Sequence, residues 1–280
     1  MAVLAGGCDR MVVLNPKGPI ADAERGLLID AFSVMMLVIV PVIVMAFWFA
    51  WRYRASNRAA RYEPKWAESK LVDSIVWLIP AAIVIAVAVL VWRSTHRLDP
   101  YRPIASDVPA LDIQVVGQDW KWLFIYPEQG IATVNQMAIP AGRPISLRIT
   151  SDTVMNSFYV PALAGQIYAM AGMQTRLQLL ASQPGKFVGR NTQYSGDGFS
   201  DQFFEVLATT PAEFDAWVAK AKQSPDKLDP ATYARLAVRS RNVPFTYYST
   251  VEPKLFDSII SRYTHAHRMP EPAAAAPARR

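Results

Sequence analysis

Two runs of apolar residues, each long enough to cross a lipid bilayer, limit what this chain can fold into more than any other feature. Ala31 to Trp51 and Ser74 to Trp92 each contain no Asp, Glu, Lys or Arg. At about 1.5 Å of rise per residue, either run as a helix spans roughly the 30 Å of a hydrocarbon core. Pro41 and Pro80 lie inside them, which lipid-embedded helices tolerate when neighbouring groups satisfy the freed carbonyl. Trp48, Trp51 and Trp92 stand near the run ends, where interfacial aromatic residues belong. The alternative, two buried helices of a soluble protein, sits poorly with a chain that is 52% hydrophobic and 19% charged. Between the runs Arg52, Arg54, Arg58, Arg61, Lys65 and Lys70 are set against Glu63 and Glu68, with Asp73 at the edge of the second run. In so short a loop the positive-inside rule places these residues in the cytoplasm and both termini outside. The same cluster accounts for part of the formal charge of +6 without invoking a nucleic-acid partner. Residues 27–98 are thus expected to form a transmembrane helix hairpin after an N-terminal segment, 1–26.

Beyond Leu98-Asp99-Pro100 the pattern changes to short alternating stretches. Ile113-Gln-Val-Val, Ile145-Ser-Leu-Arg-Ile, Arg176-Leu-Gln-Leu-Leu and Phe203-Phe-Glu-Val-Leu have strand character. Pro140-Ala-Gly, Pro184-Gly-Lys and Gly196-Asp-Gly supply turns. This predicts a β-sandwich over 107–210. Helical periodicity returns in 211–264. Thr210-Pro211 and Asp229-Pro230 read as N-cap and first helical residue. Phe214, Trp217, Val218 and Ala221 fall on one helix face, as do Phe256, Ile259, Ile260 and Tyr263 after Pro253. The Pro- and Ala-rich end, 265–280, is expected to be disordered, with His265 and His267 solvated.

The residue inventory narrows the chemistry. Cys8 is the single cysteine, and the three histidines are His96, His265 and His267. No disulfide within the chain and no thiolate-rich metal cage is possible, and a copper or zinc site in the sandwich lacks ligands. Met155, Met170 and Met173, with no thiolate or imidazole nearby, are read as packing residues. Trp120 and Trp122, two apart in a strand, are expected to pack on one face.

The polar, glycine-punctuated stretch Gly189 to Gln202 carries a more specific pattern. Asn191, Ser195, Phe199 and Gln202 are separated by three, three and two residues. That spacing resembles the Cys-Cys-His-Met loop of the dinuclear copper (CuA) domain in haem-copper oxidase subunit II. Asn156-Ser157-Phe158-Tyr159-Val160-Pro161 is similar to the family's His-Ser-Phe-x-x-Pro. Asp119-Trp120-Lys121-Trp122, the block from Phe124 to Asn135 and the block from Gln166 to Leu177 match almost verbatim. The likeness extends from Leu14 to about Tyr263. The chain therefore resembles subunit II of the cytochrome bo-type ubiquinol oxidases.

The resemblance implies a cupredoxin-like Greek-key sandwich outside the membrane. It also implies a copper site whose ligand positions no longer bind metal. Asn156 and Phe199 replace histidines, Asn191 and Ser195 replace cysteines, Gln193 replaces a carbonyl-donating Glu, and Gln202 replaces Met. Haems, CuB and ubiquinol are then expected in a large subunit I, with other small membrane subunits and the lipid bilayer as further partners. Without two thiolates an active cytochrome c oxidase subunit is excluded. A membrane-anchored cupredoxin-like binding or assembly lipoprotein remains the alternative. Leu4-Ala5-Gly6-Gly7-Cys8 resembles the end of a lipoprotein signal, making Cys8 the lipidation candidate beside the plainer reading of a chance cysteine in a disordered terminus. Asp73 stands at the start of the second run, before Trp77-Leu78-Ile79-Pro80. Its carboxylate suits the positive end of a helix dipole. By resemblance it also matches a family glutamate at the cytoplasmic mouth of a proton channel, so it is the proton-entry candidate.

Overall fold

Both apolar runs are helical in the computed structural model, which describes residues 11–60 and 68–266. Helix α1 spans Pro19–Arg52 and α2 spans Lys70–Arg97. Their most apolar windows have a mean hydropathy of 2.7 and 2.8, and none of either window is buried. Helices this apolar and this bare require lipid or partner proteins around them. Among the described residues, those within 23–99 form one compact unit and the rest another.

The second unit is a sandwich of two sheets. One has six strands in the order β11-β3-β2-β1-β5-β8. These are β1 Leu111–Gln118, β2 Lys121–Tyr126, β3 Ile131–Val134, β5 Ile145–Ser151, β8 Thr175–Leu179 and β11 Thr246–Tyr248. The other has five strands in the order β4-β10-β9-β6-β7. These are β4 Gln136–Pro140, β6 Asn156–Tyr159, β7 Gln166–Ala169, β9 Gly185–Asn191 and β10 Phe203–Thr209. Pairing is antiparallel except for β1 with β5 and β10 with β4. The strand stretches expected from alternation fall in β1, β5, β8 and β10.

Strand β2 shows why others escape such a reading. All of its residues are buried. Trp122, Phe124 and Tyr126 enter the core between the sheets, while Leu123 and Ile125 join a second core with Leu228, Tyr233, Leu255, Phe256 and Ile259. A strand covered on both faces has no polar side and no alternation. The covering layer is the C-terminal extension, α4 Pro230–Leu236 and α5 Leu255–Ala266. Helix α3 Pro211–Lys222 instead buries Phe214, Trp217, Val218 and Ala221 against the inter-sheet core.

Two details depart from expectation. Strand β1 turns into β2 through Asp119 and Trp120, because Gln118 pairs with Lys121. Trp120 therefore lies in the turn at φ 62, not on the strand face of Trp122; both rings are buried, but in different places. The segment ahead of the membrane run is also part of the sandwich unit. Lys17 N donates to Ala162 O at 2.7 Å and Ser182 N to Lys17 O at 2.8 Å. Gly18 is required there, since a Cβ would stand 2.3 Å from the Leu180 carbonyl oxygen.

Candidate functional site

The sheet register assembles the loop. Strand β9 pairs with β10 (Arg190 opposite Phe203) and with β6 (Asn191 opposite Phe158). This brings the end of β9 and the start of β10 beside β6, so Asn156, Asn191 and Gln202 become neighbours. All three are almost fully buried. Buried amides must find partners within reach, and these find each other. Asn191 Nδ2 donates to Asn156 Oδ1 (2.9 Å), Gln202 Oε1 (2.9 Å) and Ser195 Oγ (3.1 Å). Gln202 Nε2 donates to Asn156 Oδ1 at 3.0 Å, and the Ser195 hydroxyl donates to Gln202 Oε1 at 2.9 Å. Asn191 Oδ1 accepts the backbone N–H groups of Ser157 (2.8 Å) and Gln193 (3.0 Å). Asn156 Nδ2 reaches Val154 O at 2.9 Å and Ser151 Oγ at 3.2 Å.

Four of the six expected positions, Asn156, Asn191, Ser195 and Gln202, thus share one closed network. Gln193 contributes its backbone N–H. Phe199 stays out; its ring lies 5.7 Å from that of Tyr194, beside an open groove lined by Val188, Arg190 and Phe203. The donor set does not fit copper, which selects thiolate and imidazole. The amide and hydroxyl oxygens here already accept hydrogen bonds. Among the described residues no group of three or more His, Cys, Asp or Glu is placed to hold a metal.

Beneath the network Trp122, Phe158 and Phe204 form an aromatic floor, with centroids 4.9–5.7 Å apart. On its flank Trp120 donates Nε1–H to Ser195 O at 3.2 Å, and its ring lies where a Cβ on Gly198 would be (2.2 Å). Sequence reasoning missed Lys121, which is fully buried and donates to Val238 O (2.8 Å) and Ser240 Oγ (2.7 Å). Burial pushes its ammonium below the ordinary lysine range, with Asp119 opposing. No local signal announces such a lysine, because its acceptors lie over a hundred residues away. Asp73 lies in the first turn of α2, exposed, its backbone N–H bonded to Ser69 O at 2.9 Å. Cys8 and most of the tail, 267–280, lie outside the described residues.

Comparison with known proteins agrees with this geometry. Residues 128–207 match the family model for the cytochrome c oxidase subunit II periplasmic domain. Residues 222–267 match the COX aromatic rich motif. The chain is 51% identical to the cytochrome bo(3) ubiquinol oxidase subunit 2 of Pseudomonas aeruginosa, over 94% of this chain and 80% of that one. It is 48% identical to the ubiquinol oxidase subunit 2 of Acetobacter aceti, over 94% of this chain and 86% of that one. It is 38% identical to the quinol oxidase subunit 2 of Bacillus cereus, over 83% of this chain and 81% of that one. The fold is the cupredoxin-like Greek-key sandwich of haem-copper oxidase subunit II, here preceded by two membrane-length helices and followed by a helical extension. Within that class the chain belongs to the ubiquinol oxidase subunit 2 family.

Proposed function

We propose that this chain is subunit II of a respiratory, proton-translocating ubiquinol oxidase, and that it anchors and docks rather than carrying a redox centre. The observation that carries the second half is the closed amide network of Asn156, Asn191, Ser195 and Gln202. A site whose lone pairs are already bound to N–H and O–H groups offers a copper pair nothing to bind. The physical logic agrees. A soluble protein donor needs a surface relay, whereas ubiquinol dissolves in the bilayer and reaches a membrane-embedded subunit directly.

In this reading quinol oxidation and oxygen reduction take place in the large subunit, which holds the haems, CuB and the quinol. Helices α1 and α2 hold the chain in the bacterial inner membrane, with the basic loop near Arg58 inside and both termini and the sandwich in the periplasm. Asp73, a carboxylate at the cytoplasmic start of a span, delivers protons toward the large subunit, and Cys8 is acylated. Family membership favours this reading over a separate assembly or binding lipoprotein.

The test is purification of the complex through a tag on this chain. Haem should co-elute in stoichiometric amount, with copper accounted for by CuB alone and no CuA electron paramagnetic signal. Recovery of the chain free of haem protein would support the lipoprotein instead, and copper in excess of CuB would overturn the loss of the site.

A further inference from the structure

The aromatic-rich extension reaches the 189–202 loop and its Trp120 flank. The contact is made by the irregular segment between α4 and β11. Its Arg239 and Arg241 place their guanidinium groups 5.2 Å and 5.0 Å from the Trp120 ring. Arg239 also pairs with Asp119 at 3.4 Å, and Arg241 reaches Asp197 of the loop itself at 4.0 Å. Lys121 fastens the same segment at Val238 O and Ser240 Oγ. Helices α4 and α5 anchor the extension at the adjoining turn, where Thr153 Oγ1 donates to Asp119 Oδ1 at 2.6 Å. The Asp152 side chain is only 4% exposed. It accepts from the Tyr233 and Tyr263 hydroxyls and pairs with Arg262 at 3.7 Å. Asp152 adjoins Ser151, which with Val154 receives the Asn156 side chain.

We propose that the aromatic-rich extension is an intramolecular clamp that holds the 189–202 loop through Trp120 and Asp197 and is itself anchored at Asp152. Two features argue that the loop needs one. Beyond Thr192, whose N–H bonds Ser157 O at 3.3 Å, its backbone bonds up to Phe203 are short-range: Phe199 N to Gly196 O, Asp201 N to Gly198 O and Gln202 N to Phe199 O. A glycine-containing loop tied so locally opens at little cost. Trp120 also holds a left-handed backbone at φ 62, which a bulky residue keeps only where its surroundings impose it. Those surroundings are Gly198 below the ring and the arginine pair beside it. Cation–π contacts of this kind attract through the ring quadrupole, and two on one indole fix its plane. The three side chains that grip Asp152, Tyr233, Tyr263 and Arg262, all come from the extension, so this buried carboxylate ties it to the strand that begins with Asn156.

The clamp is testable in the purified oxidase by hydrogen–deuterium exchange. Arg239→Ala/Arg241→Ala alters two side chains that are 66% and 46% exposed, so assembly with parental haem content is expected. Amides of residues 192–201 should then exchange on the order of tenfold faster, while β5 and β8 keep the parental rate. Arg241→Ala alone should give an intermediate rate in the same peptides. Loop exchange within twofold of the parent, or an equal rise in β5 and β8, would overturn the clamp. Both outcomes are read independently of the copper and haem content that tests the proposed function.

Discussion

At the scale of single residues, Asn191 does the most. One amide nitrogen serves three acceptors and one amide oxygen two backbone donors, joining β6, β9, β10 and the loop. The sequence places an amide at 191 but does not say which groups meet it, since its partners lie up to 35 residues away in the chain. Asp73 is the opposite case, legible in the sequence as a carboxylate beginning a span, and exposed in α2. Asp73→Asn keeps the shape and removes the titratable charge. We expect quinol oxidation by the complex to slow several-fold with haem content unchanged, and Asp73→Glu to retain turnover. Should Asn leave turnover unaltered, the carboxylate merely complements the helix dipole, worth about 0.3–1 kcal/mol, and the proton role falls.

At the scale of elements, α3 shows local sequence and tertiary packing in agreement. Thr210 and Glu213 form a reciprocal capping box: Thr210 N donates to Glu213 Oε2 at 2.9 Å and Glu213 N to Thr210 Oγ1 at 3.3 Å. Pro211 follows at the first helical position, and the apolar face enters the inter-sheet core. Loss of the Thr210 cap by Thr210→Ala should destabilise the helix by about 1 kcal/mol, seen as faster amide exchange in 211–216. The Thr210 backbone N–H, then its hydroxyl, hold the Glu213 carboxyl below the ordinary glutamate range. A depressed carboxyl contributes stability above its unfolded value and loses it as pH falls through the lower folded value. The difference in α3 exchange between the parent and Glu213→Gln should therefore be full at neutral pH and vanish in acid. A difference that persists in acid would show that the carboxylate is not the stabilising form.

At the scale of the whole molecule, orientation in the membrane is the prediction. In a Cys8→Ser background, a membrane-impermeant thiol reagent should label Glu128→Cys in cells with a permeabilised outer membrane and an intact inner one. It should leave Arg58→Cys unlabelled until the inner membrane is opened. Both positions are exposed on the protein, so burial does not confuse the result. The reverse pattern would refute the placement of both spans.

What the sequence determined by itself are the features set by neighbours in the chain. The two membrane-length helices follow from unbroken apolar runs, the α3 and α4 starts from Thr210-Pro211 and Asp229-Pro230, and β1, β5, β8 and β10 from alternation. The spacing of Asn191, Ser195, Phe199 and Gln202 marked the loop as well. What only the tertiary structure decided are pairings between distant segments. Strand β2 had no polar face to read because the extension covers its outer side. Lys121 is buried because the fold brings Val238 and Ser240 to it. Trp120 seemed a partner of Trp122 until a two-residue turn set it over Gly198 and beside Arg239 and Arg241. Helix and strand signals arise from backbone periodicity within a few residues, whereas the burial of a polar group depends on which remote segment supplies its partner.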